Sequence, residues 1–272
     1  MFFDSHTHTV HSDGKCTLEQ MCLSATEKGV SGIAITDHAD MNFYHERDHK
    51  NRIAKCIDHV RQAQEKFAGK LELTCGVELG EYLISPENAQ TILQLTDFDV
   101  VLCSVHFLPQ LGWAMPYNRI PFSQEGTDEE LDEYLRHYLA LLRDTVDAFD
   151  FDVLAHISCP VRYMTGIHGR KTDIMRHETL LRQILQRVID RGISLEWNTG
   201  GMNSRCGFCN IQNDEIFALY YAMGGRLVTL GSDAHKADMI CRTFPEAARS
   251  LKQIGFTHYQ RYVNHKAIPV SL

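Results

Sequence analysis

Short, almost wholly apolar runs recur along this chain, separated by stretches with helical periodicity, and most of the runs stop at a histidine, aspartate or glutamate. The runs lie near residues 2–6, 32–36, 72–77, 99–105, 152–156, 193–197 and 227–231. Several, such as Gly32-Ile33-Ala34-Ile35-Thr36 and Asp99-Val100-Val101-Leu102-Cys103, lack polar alternation, the pattern of parallel strands covered on both faces. Between them, Thr17 with Gln20 and Thr127 with Glu130 form capping boxes that open helices. Leu131, Leu135, Tyr138, Leu139, Leu142 and Val146 make one apolar helix face, and Leu181, Ile184, Leu185, Val188 and Ile189 make another that stops at Gly192. Strand–helix units in this order predict an α/β barrel whose C-terminal strand ends and following loops converge on one site. With 272 residues and no linker, low-complexity tract or repeat, a single domain over residues 1–272 is expected.

The ends of the runs carry the chemistry. Asp4-Ser5-His6-Thr7-His8 is followed by Ser12-Asp13-Gly14, then by Thr36-Asp37-His38, Gly76-Val77-Glu78, Ser104-Val105-His106, Ala155-His156 and Gly231-Ser232-Asp233-Ala234-His235. Imidazole nitrogen and carboxylate oxygen are ligand atoms for divalent cations. Residues two apart on a strand share a face, so His6 with His8 and Asp233 with His235 can each grip one ion. His6, His8, Asp13, His38, Glu78, His106, His156, Asp233 and His235 are therefore the candidate metal ligands. The segments 107–126, 157–172 and 198–213 follow strands on the same face and are candidates for a substrate-binding rim.

A net charge of −8 disfavours a broad nucleic-acid surface, although bound cations would still allow an anionic substrate. The opening Phe2-Phe3-Asp4 lacks the basic-then-apolar pattern of a secretory leader, and no apolar stretch approaches the ~20 residues of a membrane span. Nine cysteines, an odd number with several beside apolar runs, fit reduced thiols in a cytoplasmic protein better than a disulfide framework. A small phosphorylated substrate, with no nucleic-acid or membrane partner, is expected.

These motifs, His6-x-His8 with Asp13, Thr36-Asp37-His38, Gly76-Val77-Glu78, Ser104-Val105-His106, His156 and Asp233-x-His235, resemble the polymerase-and-histidinol-phosphatase (PHP) superfamily, in order and over nearly the whole chain. The resemblance implies a distorted seven-stranded (β/α)7 barrel with the active site at the C-terminal strand ends and two or three divalent metal ions, zinc, iron or manganese. Within the superfamily the chain looks most like the stand-alone histidinol-phosphate phosphatases, through Ser104-Val105-His106-Phe107-Leu108, Ala155-His156-x4-Val161-Arg162-Tyr163 and Glu196-x-Asn198-Thr199-x-Gly201. That likeness implies hydrolysis of L-histidinol phosphate in histidine biosynthesis. The resemblance further implies three subsites: His6, His8, Glu78 and Asp233; Glu78, His106 and His156, with Glu78 bridging; and Asp13, His38 and His235. Glu78, Asp233 and His235 are the expected catalytic residues, and Arg162 and Arg205 the expected phosphate-binding side chains. Metal-activated water needs no protein nucleophile, consistent with the absence of a Gly-x-Ser-x-Gly elbow. Ser12-Asp13-Gly14 and Thr36-Asp37-His38 also occur in superfamily members that act on nucleotides, so a nucleotide or short-oligonucleotide phosphoesterase is the rival activity. A metal-binding regulatory module without activity is the rival of another class.

Other features compete for attention. His45-Glu46-Arg47-Asp48-His49 matches the metalloprotease pattern, but its polar flanks do not suit a buried zinc helix, so both histidines are expected outside the buried site. Cys206-Gly207-Phe208-Cys209 is half a zinc knuckle without a second pair, and free thiols are expected. Asp4 shares the strand face of His6 and His8 and is expected to orient an imidazole. Trp113 and Trp197 suit either the pocket wall or the core.

Overall fold

In the computed structural model, which describes residues 1–109, 112, 126–200 and 212–272, every apolar run contains a strand. The strands are β1 (Phe3–Thr7), β2 (Gly32–Ile35), β3 (His38–Asp40), β4 (Glu72–Gly80), β5 (Val100–Ser104), β6 (Val153–Leu154), β7 (Ser194–Asn198), β8 (Val228–Gly231), β9 (His258–Val263) and β10 (Lys266–Ser271). Of these, β3, β9 and β10 lie outside the runs. The helices are α1 (Leu18–Glu27), α2 (His49–Lys66), α3 (Pro86–Leu93), α4 (Asp128–Val146), α5 (Glu178–Asp190), α6 (Asn213–Ala222) and α7 (Phe244–Ile254), with shorter helical turns between them.

The result is an α/β fold built on a mostly parallel sheet. Its strand order is β1-β2-β4-β5-β6-β7-β8-β9-β10, with β3 beside the end of β4. Among the described residues only the β9–β10 pairing is antiparallel. Strands β1, β2, β5, β7 and β8 are buried along their whole length, as the unbroken apolar runs require. Both expected capping boxes form, Thr17 with Gln20 and Thr127 with Glu130. On α4 the expected face, Leu131, Leu135, Tyr138, Leu139, Leu142 and Val146, is buried in the main core. Burying each such aliphatic side chain contributes about 1.5–3 kcal/mol, which is what holds these helices against the sheet.

A contact between the first and eighth strands places the site. Thr7 bridges Ala234, the His8 N–H donates to the Ala234 carbonyl at 3.0 Å, and the Asp233 N–H donates to the His6 carbonyl at 2.9 Å. The His6–His8 and Asp233–His235 motifs, more than two hundred residues apart in sequence, thereby lie side by side. The seven cysteines among the described residues are free thiols. No helix among those residues is long and apolar enough to cross a membrane.

Candidate metal centre

All nine candidate ligands come together, with Glu78 in the middle. It lies on β4, opposite His38 in the β3–β4 register, and is fully buried. Its Oε2 sits 2.9 Å from His38 Nδ1, 3.1 Å from His6 Nε2 and 3.5 Å from His8 Nε2. Its Oε1 sits 2.8 Å from His156 Nε2 and 3.1 Å from His106 Nε2. Towards solvent, His8 Nε2 lies 3.1 Å from Asp233 Oδ1, and Asp13 Oδ1 lies 3.0 Å from His235 Nε2 and 3.6 Å from His38 Nε2. The His8 ring stacks between those of His38 and His235, with centroids at 4.2 and 4.3 Å.

The grouping is less partitioned than the expected three subsites. His8 belongs with Asp13, His38 and His235 as well as with His6 and Asp233. His38 also joins Glu78 and His106, and His6 joins Glu78 and His156. Strand-end spacing identifies residue types but not which ring shares which oxygen, because the loops after β1 and β8 fold over one another.

The donor set suits cations. His6 Nδ1 is committed to Glu196 Oε1 at 2.7 Å, and His235 Nδ1 to the Asp233 carbonyl at 2.9 Å. Each ring that donates from Nδ1 presents a lone pair at Nε2. Yet His6 Nε2 faces Glu78 Oε2 and His8 Nε2 (3.0 Å), and His235 Nε2 faces Asp13. Acceptor facing acceptor at hydrogen-bond distance calls for a cation or a proton between them. Without metal, protons fill that role. Burial alone would push His6 and His106 down, but Glu196 and Glu78 raise His6, and Glu78 and Asp40 raise His106, well above the usual imidazole range. His38 rises against its burial to about 9 through Glu78 and Asp40, whereas burial with His38 and His235 pushes His8 down to about 4. Burial opposes the charges of Glu78 and Asp233, but His38 and His6 hold Glu78, and Arg162 and His8 hold Asp233, well below the carboxylate range.

The backbone is bent to deliver two of these side chains. His156 (φ 24°) and Asp233 (φ 53°) occupy left-handed conformations that non-glycine residues rarely adopt, at a cost of order 1–3 kcal/mol each. The His156 N–H is held by Glu196 Oε2 at 2.8 Å. Glu196 thus supports two candidate ligands from β7, and Asn198 Nδ2 donates to it at 3.1 Å. Its carboxylate between Leu195 and Trp197 was the signal available in the sequence; Asp40 and Glu81, which contact His106, carried none.

Other candidates fall elsewhere. Asp4 does not orient an imidazole: its oxygens accept the backbone N–H groups of Ser232 (2.9 Å), Cys241 (2.9 Å) and His6 (3.3 Å), tying the Asp233 loop to β1. Arg162 is in the wall of the cluster, not on an open rim. Its Nη1 donates to Asp233 Oδ2 at 2.7 Å, and its buried Nε has no acceptor among the described residues. Trp197 is core, packed on Phe217 with ring centroids 4.8 Å apart. The metalloprotease-like segment is not one helix: His45 is exposed in a turn, and His49 opens α2 as a buried residue. The expectation that both lie outside the cluster fits the candidate groups, but the polar flanks mislead about His49's burial. Arg205, Trp113, Cys206 and Cys209 lie outside the described residues.

Residues 4–200 match the PHP domain family. Over 264 residues the chain is 31% identical to a protein of Clostridium acetobutylicum named a probable histidinol-phosphatase, spanning 94% of this chain and 97% of the relative. It is 26% identical to a protein of the same name from Deinococcus radiodurans, spanning 93% of each. Among solved structures, histidinol phosphate phosphatase from Lactococcus lactis, complexed with zinc, L-histidinol and phosphate, matches 98% of both chains with a TM-score of 0.81 at 22% identity, which establishes a shared fold.

Proposed function

This chain belongs to the PHP domain family, and from that premise we propose that it is a metal-dependent phosphomonoesterase that hydrolyses L-histidinol phosphate to L-histidinol and phosphate. One observation carries the metal reading: imidazole lone pairs converge on carboxylate oxygens around a fully buried Glu78. The substrate follows from the full-length likeness to proteins named histidinol-phosphatases. We read residues 1–272 as one PHP-type unit, and the contact between β1 and β8 as the closing seam of a distorted (β/α)7 barrel.

The candidate ligands are His6, His8, Asp13, His38, Glu78, His106, His156, Asp233 and His235, and they would hold two or three divalent ions, zinc, iron or manganese. Such ions supply the positive charge that binds phosphoryl oxygens and the acidity that activates water. Glu78, with an oxygen turned to each side, is placed to bridge ions. Asp233 offers Oδ1 to the cluster while Arg162 holds Oδ2. His235, backed by the Asp233 carbonyl, presents Nε2 at the open edge. Arg162 keeps an unpartnered Nε donor beside the cluster, which suits a charge-assisted hydrogen bond to a phosphate oxygen. Arg205, which follows β7 in sequence and lies outside the described residues, is a second candidate phosphate contact.

The test is elemental analysis of the purified protein together with phosphate release from L-histidinol phosphate, a mononucleotide and a short single-stranded DNA. Two or three ions per chain and fastest release from L-histidinol phosphate are expected. Faster release from either nucleotide substrate overturns the substrate while keeping the phosphoesterase. A metal-loaded protein that releases phosphate from none of them overturns the enzyme reading in favour of a regulatory module.

A further inference from the structure

Asp40 ends β3, two residues after His38, and is buried, yet the proposed reaction does not use it. Its Oδ2 is held by Arg47 Nη1 at 3.2 Å. Its Oδ1 turns inward, 3.4 Å from His106 Nδ1 and 3.8 Å from His38 Nδ1. Among the described residues Asp40 Oδ1 has no hydrogen-bond partner; His38 Nδ1 lies closer to Glu78 Oε2, at 2.9 Å, which leaves His106 Nδ1 as the ring nitrogen nearest to Asp40 Oδ1. On the far side of that ring, His106 Nε2 faces Glu78 Oε1 at 3.1 Å and His156 Nε2 at 3.4 Å.

Two neighbours keep this contact in place. Gly80 pairs with Asp40 across β3–β4 and with Ser104 across β4–β5, so three strands meet beside it. A Cβ at Gly80 would lie 2.5 Å from Asp40 Oδ1 and 3.3 Å from His106 Nδ1. Gly80 is not among the residues with positive φ, so the glycine serves room rather than backbone shape. Glu81, itself left-handed at φ 54°, accepts the His106 backbone N–H at 2.5 Å. The His106 backbone is thus fixed by one buried carboxylate, and its ring faces another.

We propose that Asp40 is a positioning residue for His106: it accepts the Nδ1 proton, fixes the tautomer and aims the Nε2 lone pair at the space beside Glu78, while Gly80 leaves the room the contact needs. Asp40, Glu81 and His106 are close enough to share a cation of their own. His106 would then face cations through both ring nitrogens, which requires an imidazolate; the hydrogen bond needs only the neutral ring. The inference rests on the proposed reading of His106 as a cation ligand.

The experiment compares Asp40→Asn, Gly80→Ala and His106→Ala in the full chain, reading zinc stoichiometry, the affinity of each equivalent by chelator competition, kcat, KM, and the melting temperature of the metal-free protein. Loss of a partner behind a metal ligand weakens metal affinity about 10–100-fold. Asp40→Asn and Gly80→Ala should each weaken one equivalent by that factor, lower kcat and leave KM within about twofold. Gly80→Ala does so with Asp40 intact, which separates geometry from lost charge. If both variants bind every equivalent normally while His106→Ala loses one, the positioning role is wrong and the cation reading stands. If all equivalents weaken together and the metal-free protein melts early, Asp40 is merely structural. If His106→Ala keeps its full metal complement, the cation reading has failed at that residue and the positioning role falls with it.

Discussion

Glu78 divides the cluster into a sealed side and an open side, and the two are built differently. On the sealed side His6 and His156 are almost fully buried, and His106 is 16% exposed. Carboxylates stand behind them: Glu196 behind His6 and the His156 backbone, Asp40 and Glu81 behind His106. On the open side Asp13 is 57% exposed and His235 34%, and the His235 ring is backed by its near neighbour Asp233, through the carbonyl at 2.9 Å and the carboxylate at 3.5 Å. Ligands held by buried partners are pre-organised, whereas ligands on a solvent-facing loop must be ordered when the ion binds. On the proposed metal reading, the sealed side would retain its ions and the open side would exchange them and admit the substrate.

The largest expected effect comes from removing what joins the two sides. Glu78→Ala takes away the carboxylate that touches five imidazoles and should cost at least two metal equivalents and more than about a thousandfold in turnover. His8→Ala and His235→Ala, measured beside it, should lose less of both. Near-normal metal and rate in Glu78→Ala would mean that it bridges nothing and that the division is drawn in the wrong place.

A second test separates the sides directly. Dilute chelator at neutral pH should strip the open-side ion first, and Asp13→Ala should make that ion at least about tenfold easier to remove while sealed-side ions stay. His156→Ala should disturb the sealed side instead. Release of all ions in one step, or an unchanged first step in Asp13→Ala, would erase the distinction.

Protons provide a third. His38 and, against its burial and through Cys159 and Glu78, His156 are raised to about 9 in the metal-free protein, with His6 and His106 also raised. Each folded pKa lies above its unfolded value, so the stability each contributes is fully present below about pH 6.5; for His38 and His156 it is lost as pH rises through about 9, and for His6 and His106 it is lost above the ordinary imidazole range. His8, lowered to about 4, is neutral in both states over that interval, whereas the Cys159 thiol, lowered against its burial to about 7 by Arg162 and His156, opposes the trend in part. Metal ligands must be deprotonated, so loaded protein should behave in the opposite sense. Calorimetry from pH 6.5 to 9 should show the metal-free protein melting earlier as pH rises while added zinc widens its stabilising effect. A metal-free melting temperature that climbs over this interval would remove protons as the substitutes for cations.

Most of the nine ligand-type residues were legible because they stand at or just past the end of an apolar run, where a buried imidazole or carboxylate needs a reason; Asp13, exposed in the loop after β1, was legible only through the motif it shares with His6 and His8. Their sharing was not legible, because it depends on how the Asp13 and His235 loops fold over β1. Asp40 reads as one more acid before the mixed stretch Met41-Asn42-Phe43; only the three-strand junction at Gly80 brings it beside His106. The C-terminal hairpin was hidden for a different reason. Its turn residues Asn264 and His265 both take positive φ without a glycine, and β10 alternates exposed and half-buried positions with no apolar run. Strand β6 ends at Leu154, shorter than its apolar run suggests, because the backbone turns left-handed at His156.

The smallest expected effects test where the cluster stops. His45-Glu46-Arg47-Asp48-His49 has the spacing of a zinc helix, but i and i+4 share a face only within a helix, and α2 begins at His49. His45→Ala changes an exposed turn residue and should leave both stability, within about 0.5 kcal/mol, and metal content unchanged. His49 is buried, and burial pushes its pKa down to about 4, so it is a neutral packed ring at physiological pH. His49→Ala should therefore cost about 1–3 kcal/mol of stability, read by denaturant unfolding, and again no metal. Loss of a metal equivalent from His49→Ala without loss of stability would extend the sealed side beyond Asp40 and make the sequence match more than chance.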